Sequence, residues 1–414
     1  MFIILAGFAL VTPFLSLLLI SLYYLQYKKS IQSAVLYGFA AAATFYNYIP
    51  DSGNDSIRHM YNLQYYIGVP IWKCFDAGHY TQTYVWDLWC WIVAQFKLQY
   101  LLPSTAAFIG YTITAYLVLD YCIYIDASRK NCIVAMLLTA LMTSPVGIVV
   151  GIRNANAFLI CTLAMYLCEV KHKSKGMGFI LMLCGVLIHH SALLVLAMWL
   201  AFPVFRKKPK ICGISIAFVL LSLTAISNLA LKNMSGGNWI ISMIVDAFSG
   251  VSVYQVDNSY NTAVSTSMKY KIESANSLLM LVLMLLRYRL SVKKKQPWQE
   301  CHDDILDGTL VKIADLFTIV TLSMMMVLTI NGGRYMGIAQ IMAFLSMIAS
   351  YDYVSFMSYG KKVQTIFLMD FLITGTLCIG AILTVYTLVW GTASGSSIIG
   401  GLLGGIVYAI ANTI

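Results

Sequence analysis

MFIILAGFALVTPFLSLLLISLYYLQYKK, residues 1–29, is the stretch that decides the fold. Its apolar run, from about Phe2 to Gln26, is long enough to cross a hydrocarbon layer about 30 Å thick, which takes roughly 20 helical residues. It has no basic segment in front and no clear small-residue cleavage site behind, so it reads as a retained helix rather than a leader. The run stops at Lys28–Lys29, and because cytoplasmic loops carry the excess of lysine and arginine, this pair marks the inner side. Composition extends the reading to the whole chain. Of 414 residues, 60% are hydrophobic and 11% charged, with a mean hydropathy of +0.78. A water-facing surface of that make-up would expose far too much apolar area. The expectation is an all-α polytopic membrane protein, residues 1–414 as a single integral domain, with about 11–13 transmembrane helices including a short helical hairpin.

The net charge of +10, from 27 Lys+Arg against 17 Asp+Glu, is accounted for by inner loops that orient the helices, and nucleic-acid binding is not expected. The ten cysteines contain no C-x-x-C pair. Cys132, Cys161, Cys184 and Cys378 lie in apolar runs, where cysteine packs as a small hydrophobe. Cys301–His302 brings two adjacent ligand types without further partners, so no metal is expected there.

Outward from the first helix, a second one from about Ile31 to Ile49 emerges on the outer face and delivers DSGNDSIRH, Asp51 to His59. In a chain so poor in charge this is a dense cluster: Asp51, Asp55, Arg58 and His59. The segment 51–103 is too polar for an ordinary crossing. Its Trp72, Tyr84, Trp86, Trp89, Trp91 and Tyr100 predict helices lying in the outer interface, either as an anchoring belt or as substrate lining. A crossing from about Thr105 to Ile125 reaches the basic Arg129–Lys130, and another from about Cys132 to Val150 returns outward. Arg153, with Asn154, opens the next helix, which runs to Cys168 before the basic stretch Lys171–Lys175.

Lys175 and Arg206–Lys208 are both basic, and between them IHHS, residues 188–191, interrupts an apolar run. Placing both flanks inside requires two half-spanning helices with His189 and His190 at the tip, whereas one long tilted helix would put a basic cluster outside. A crossing from about Ile211 to Leu231 leads to an outer loop, 232–275. The next crossing ends in Arg287, Arg289 and Lys293–Lys295, opening a cytoplasmic loop, 287–311. A further helix, from about Ile313 to Ile330, presents NGGRY with Arg334 and Tyr335 on the outer side. The following helix returns to the basic Lys361–Lys362, and two last apolar runs complete the expected set, the final one with Gly400, Gly401, Gly404 and Gly405 at spacing suited to close helix contact.

Lysine and arginine placement therefore collects Asp51, Asp55, Arg58, His59, Arg153, His189, His190 and Arg334 on one side. Arginines offer permanently charged, fork-shaped donors that suit a diphosphate or several carboxylates, and Asp or His can take a proton from a hydroxyl. On a helix, Asp55 shares a face with Arg58 and His59 as i,i+3 and i,i+4 neighbours. An internal salt bridge between Asp55 and Arg58 is the simpler alternative.

The outer DSGNDSIRHMY, then GIRNANAFLICTLA, IHHSALLVL and NGGRY, in that order over nearly the whole chain, resemble the EpsG-like family of Wzy-type polysaccharide polymerases. The resemblance implies a GT-C-like fold and a glycosyltransferase of the bacterial inner membrane. Such an enzyme joins oligosaccharide repeats carried on undecaprenyl diphosphate at the outer face, by inverting transfer without metal, cofactor or nucleotide sugar. It implies that Arg153 and Arg334 stabilise the departing diphosphate and that His189 or Asp55 accepts the hydroxyl proton. Arg58 and His59 would orient the acceptor, with Asp51, Asn154, His190 and Tyr335 completing the substrate contacts. Membrane lipid and a chain-length regulator are the further expected partners. Rival classes are a flippase for the same lipid-linked sugars and a membrane acyltransferase acting on surface polysaccharide.

Overall fold

The computed structural model describes residues 1–46, 48, 55–78, 83–129, 131–133, 135–136, 148–149, 151–222, 279, 282, 308–328 and 335–348. Asp51, Arg334, the loop 232–275, most of the loop 287–311 and the two last apolar runs lie outside them, as does most of the run expected from Cys132 to Val150. Every regular element among the described residues is helical. They divide into two compact units, one of Met1–Leu163 with Leu187–His189, the other of Ala164–Val186 and the described residues from His190 onward.

In the first unit the opening run is two helices, α1 (Phe2–Val11) and α2 (Pro13–Tyr27), where one was expected. Proline has no amide hydrogen, and its ring collides with the carbonyl four residues back, which kinks or breaks a helix; here the break falls at Thr12, whose φ of −133° and ψ of 73° are not helical. The helix can restart at Pro13, because the first turn has no use for that hydrogen. Lys28, with φ 52°, caps α2 in the left-handed region and turns the chain into α3 (Ser30–Thr44). Leu5, Ala9, Ile20 and Tyr23 pack on Leu36 and Ala40 of α3, which is what holds α1 and α2 in place. The opposite faces are uncovered: Ile3, Ile4, Phe8, Leu15, Leu18 and Leu22 are all exposed.

The segment expected in the outer interface is a set of short helices: α4 (Asp55–Asn62), 3-10 turns at Leu63–Tyr66 and Ile71–Lys73, α5 (Cys74–Ala77) and α6 (Tyr84–Gln95). At 1.5 Å per residue even α6 reaches only about 18 Å. α7 (Leu101–Tyr124), 24 residues containing an 18-residue stretch of mean hydropathy 1.5, is the one described helix long and apolar enough to cross a membrane by itself. It packs along α3 at close range. A Cβ on Gly38 would overlap Thr112 Oγ1 and come within 2.9 Å of the Phe108 carbonyl. Ser104 Oγ donates to the Ala42 carbonyl at 2.8 Å, and Tyr24 Oη donates to the Leu119 carbonyl at 2.7 Å. α8 (Ile152–Met165) carries Arg153 as its second residue, in line with the expected helix start.

The second unit begins where α8 widens into a π turn, Tyr166–Val170. It continues with α9 (Lys175–Ile188), α10 (Ala192–Lys207), α11 (Pro209–Leu221), α12 (Thr309–Leu328) and α13 (Met336–Ile348). α9 and α10 break at His189–Ser191, as the paired basic flanks require, and they fold back on one another. In a continuous helix Lys175 and Trp199 would stand about 36 Å apart, yet Lys175 Nζ lies 5.6 Å from the centre of the Trp199 ring. Buried Glu169 on the π turn ties the two together, pairing with Lys175 Nζ and accepting from Trp199 Nε1 at 3.0 Å. α11 packs on α12, and α12 on α13. α12 starts before the expected Ile313, at Thr309, right after Gly308, whose φ of 66° suits a residue without a side chain.

Candidate functional site

Arg153 is the centre of the polar cluster in the first unit. Its position in the first turn of α8 points the side chain back over the helix start, and the residue is only 9% exposed. Nε donates to the carbonyl of Ile188 at 3.2 Å, so GIRNANA meets the residue just before His189. The guanidinium carbon lies 5.5 Å from the centre of the Trp86 ring on α6, and His59 of α4 meets the same indole edge-on, centroids 5.0 Å apart. One buried tryptophan thus carries an arginine and a histidine drawn from two of the sequence stretches singled out above.

The electrostatics separate these groups. Burial pushes the His59 imidazole down, and the cations Arg153 and Arg58 push it further, to about 3. It is neutral at any physiological pH, able to give or take a hydrogen bond but a feeble proton acceptor. Asp87, next in chain to Trp86, is 1% exposed. Burial raises its carboxyl to about 6, against the opposing pull of the Tyr66 hydrogen bond and of Arg153. Tyr66 Oη donates to Asp87 Oδ1 at 2.7 Å, and Oδ2 has no hydrogen-bond partner among the described residues. Gly78 closes over this pair, since a Cβ there would stand 2.9 Å from Asp87 Cγ and 3.0 Å from Tyr66 Oη.

The other expected site residues are placed as follows. Asp55 is the first residue of α4, which puts it at helical spacing from Arg58 and His59; its side chain lies outside the described residues. Arg58 is exposed whereas His59 is buried, so the two adjacent residues do not share a role. Asn154 is half-buried on α8, and His189 and His190 are half-buried at the break between α9 and α10. Tyr335, 5% exposed, belongs to the second unit, where its Oη donates to the Ser191 carbonyl at 3.3 Å. Tyr335 thus meets the last residue of IHHS. Among the described residues no group of three or more His, Cys, Asp or Glu side chains is arranged to hold a metal ion.

Asp87 and Tyr66 were missed from sequence. The available cue was a lone carboxylate in the otherwise uncharged YVWDLWCW, residues 84–91. The tryptophans there divide. Trp86 is buried, Trp89 Nε1 donates to Thr105 Oγ1 at 2.9 Å, and Trp91 Nε1 donates to the Val69 carbonyl at 2.6 Å, while Trp72 is 74% exposed. Compared with known family models, curated proteins and solved structures, the chain matches none.

Proposed function

We propose that the protein is a polysaccharide polymerase. It joins oligosaccharide repeats carried on undecaprenyl diphosphate at the outer face of a bacterial cytoplasmic membrane, into which it is inserted through many helices. The observation that carries this reading is the buried Arg153 guanidinium, fixed in orientation by the Ile188 carbonyl and the Trp86 ring. A cation held in a water-poor site needs no reorganisation when negative charge develops beside it, and such preorganised electrostatics is often the largest catalytic term. The exposed apolar faces of α1 and α2, and Ile211, Ile214 and Phe218 on α11, fit lipid better than water.

In the reaction the hydroxyl of the acceptor sugar passes its proton to His189 or Asp55, and its oxygen bonds the anomeric carbon of the donor. The bond from that carbon to the diphosphate breaks, the electron pair leaving on oxygen. Arg153 meets the charge that appears there, and Arg334 is assigned the same task. Neutral His59 is a hydrogen-bonding partner for the acceptor rather than the base, given its depressed pKa. Membrane lipid and a chain-length regulator are the proposed partners. Replacing Arg153 or Arg334 by alanine in the producing cell abolishes polymer and leaves single lipid-linked repeats; long chains of normal length in either variant overturn the proposal.

A further inference from the structure

Asp87 carries no role in the reaction as proposed, yet its surroundings are those of a tuned group. The carboxylate is 1% exposed, bonded through Oδ1 to Tyr66 at 2.7 Å and roofed by Gly78. Its other oxygen is buried with no hydrogen-bond partner among the described residues. A buried carboxylate stays ionised only if a cation compensates it. The cation within electrostatic reach is Arg153, which lies over the ring of the residue immediately before Asp87.

We propose that Asp87 is the counter-charge of Arg153, so that binding of an anionic ligand at Arg153 is accompanied by uptake of a proton at Asp87. This deepens the polymerase reading and takes from it only the nature of the anion, a sugar-linked diphosphate. Ionised Asp87 partly cancels the positive potential of Arg153 and repels an incoming diphosphate, and protonation removes both effects. Binding and protonation are reciprocal, so the diphosphate must raise the carboxyl's pKa by the same coupling that lets the proton tighten the diphosphate.

The neighbouring groups leave Asp87 as the one that changes charge in the relevant range. Tyr66 from the 3-10 turn, Cys74 from α5 and Cys90 from α6 itself are all pushed up, chiefly by burial. Arg153 from α8 is permanently charged, and His59 from α4, which feels both Arg153 and Arg58, is pushed down to about 3. Asp76 on α5 is the other carboxylate nearby, acting on Cys74. The carboxyl at about 6 therefore sets the midpoint, and anion affinity rises as pH falls through it.

The test is calorimetric titration of the purified full-length protein with a short-chain polyprenyl diphosphate carrying one sugar. That probe is a diphosphodiester, whose own charge is constant between about pH 5 and about pH 8, and two buffers of different ionisation enthalpy report the protons exchanged. Affinity is expected to be roughly 5–100-fold higher at the acid end, the range of ordinary site-to-site coupling, with net proton uptake on binding at neutral pH. Asp87→Asn binds as tightly at every pH as the native protein does in acid and takes up no proton. Tyr66→Phe loses the hydrogen bond that favours the ionised carboxylate and moves the midpoint to higher pH, which keeps the idea testable should Asp87→Asn fold poorly. A native protein whose affinity ignores pH, an Asp87→Asn variant that keeps the slope, or an unmoved midpoint in Tyr66→Phe overturns the inference and leaves the polymerase reading standing. Absence of binding in the native protein at every pH overturns the diphosphate reading itself, and this inference with it.

Discussion

His59 and Asp87 titrate in opposite directions within one cluster, and the consequence for stability can be worked out. His59 falls from an ordinary 6.5 to about 3 in the fold. Its contribution is fully present above 6.5 and is lost as pH drops toward 3, because the unfolded imidazole gains a proton that the folded one refuses. At about pH 5 that is 1.5 pH units at 1.36 kcal/mol each, a loss of roughly 2 kcal/mol. Asp87 rises from 3.8 to about 6. Its folded form holds the proton more tightly, so its contribution improves as pH falls through 6, by roughly 1 kcal/mol at about pH 5. The two largely cancel, and the native protein changes little between about pH 8 and about pH 5 on their account. Removing one partner exposes the other. Asp87→Asn, which keeps an acceptor for Tyr66, becomes acid-labile by roughly 2 kcal/mol, and His59→Gln becomes acid-stabilised by roughly 1 kcal/mol. Thermal unfolding of the three proteins in one detergent across that range reads both effects. Parallel curves, with neither variant diverging from the native protein in acid, would refute this account of the cluster.

Other perturbations follow from the same geometry. Gly78→Ala forces a methyl against Asp87 Cγ and Tyr66 Oη and costs about 1–3 kcal/mol by overpacking. Gly7→Ala on α1, with nothing within 4 Å of the new carbon, stabilises by about 0.5–1 kcal/mol through helix propensity; melting temperatures of the two variants should move in opposite directions. In the second unit, Trp199→Phe removes the donor to buried Glu169 and costs about 1–3 kcal/mol. Lys175→Ala costs about 1 kcal/mol, since that side chain is 62% exposed and solvent screens the pair; a double-mutant cycle read by thermal unfolding checks the ranking. Arg153→Lys keeps the charge without the planar fork, so elongation of lipid-linked repeats falls about 10²–10³-fold, as for loss of one preorganised donor, while substrate binding measured by titration weakens far less.

The helix breaks were legible because they depend on nearest neighbours and on basic flanks. The turn at Lys28–Lys29, the start of α8 beside Arg153 and the interruption at His189–Ser191 all stand where the residues placed them. The break at Pro13 was equally local, and the hydropathy of the run concealed it. The convergence of Arg153 and His59 on Trp86 could be narrowed to one side of the chain but not to a contact, because ring-to-guanidinium geometry depends on how α4, α6 and α8 pack. Asp87 was invisible for the same reason. Its raised pKa comes from burial by tertiary neighbours, opposed by a hydrogen bond from a hydroxyl 21 residues away, and nothing in YVWDLWCW fixes either.

The most direct measurement is to incubate the purified protein with a lipid-linked oligosaccharide repeat and nothing else, and to resolve the products by length. The account predicts a ladder of longer chains built without metal or nucleotide sugar, and no ladder from the Arg153→Ala protein. Reorientation of the lipid-linked sugar across a vesicle without elongation would make it a flippase, and inertness until an acyl donor is added would make it an acyltransferase; either result contradicts the account.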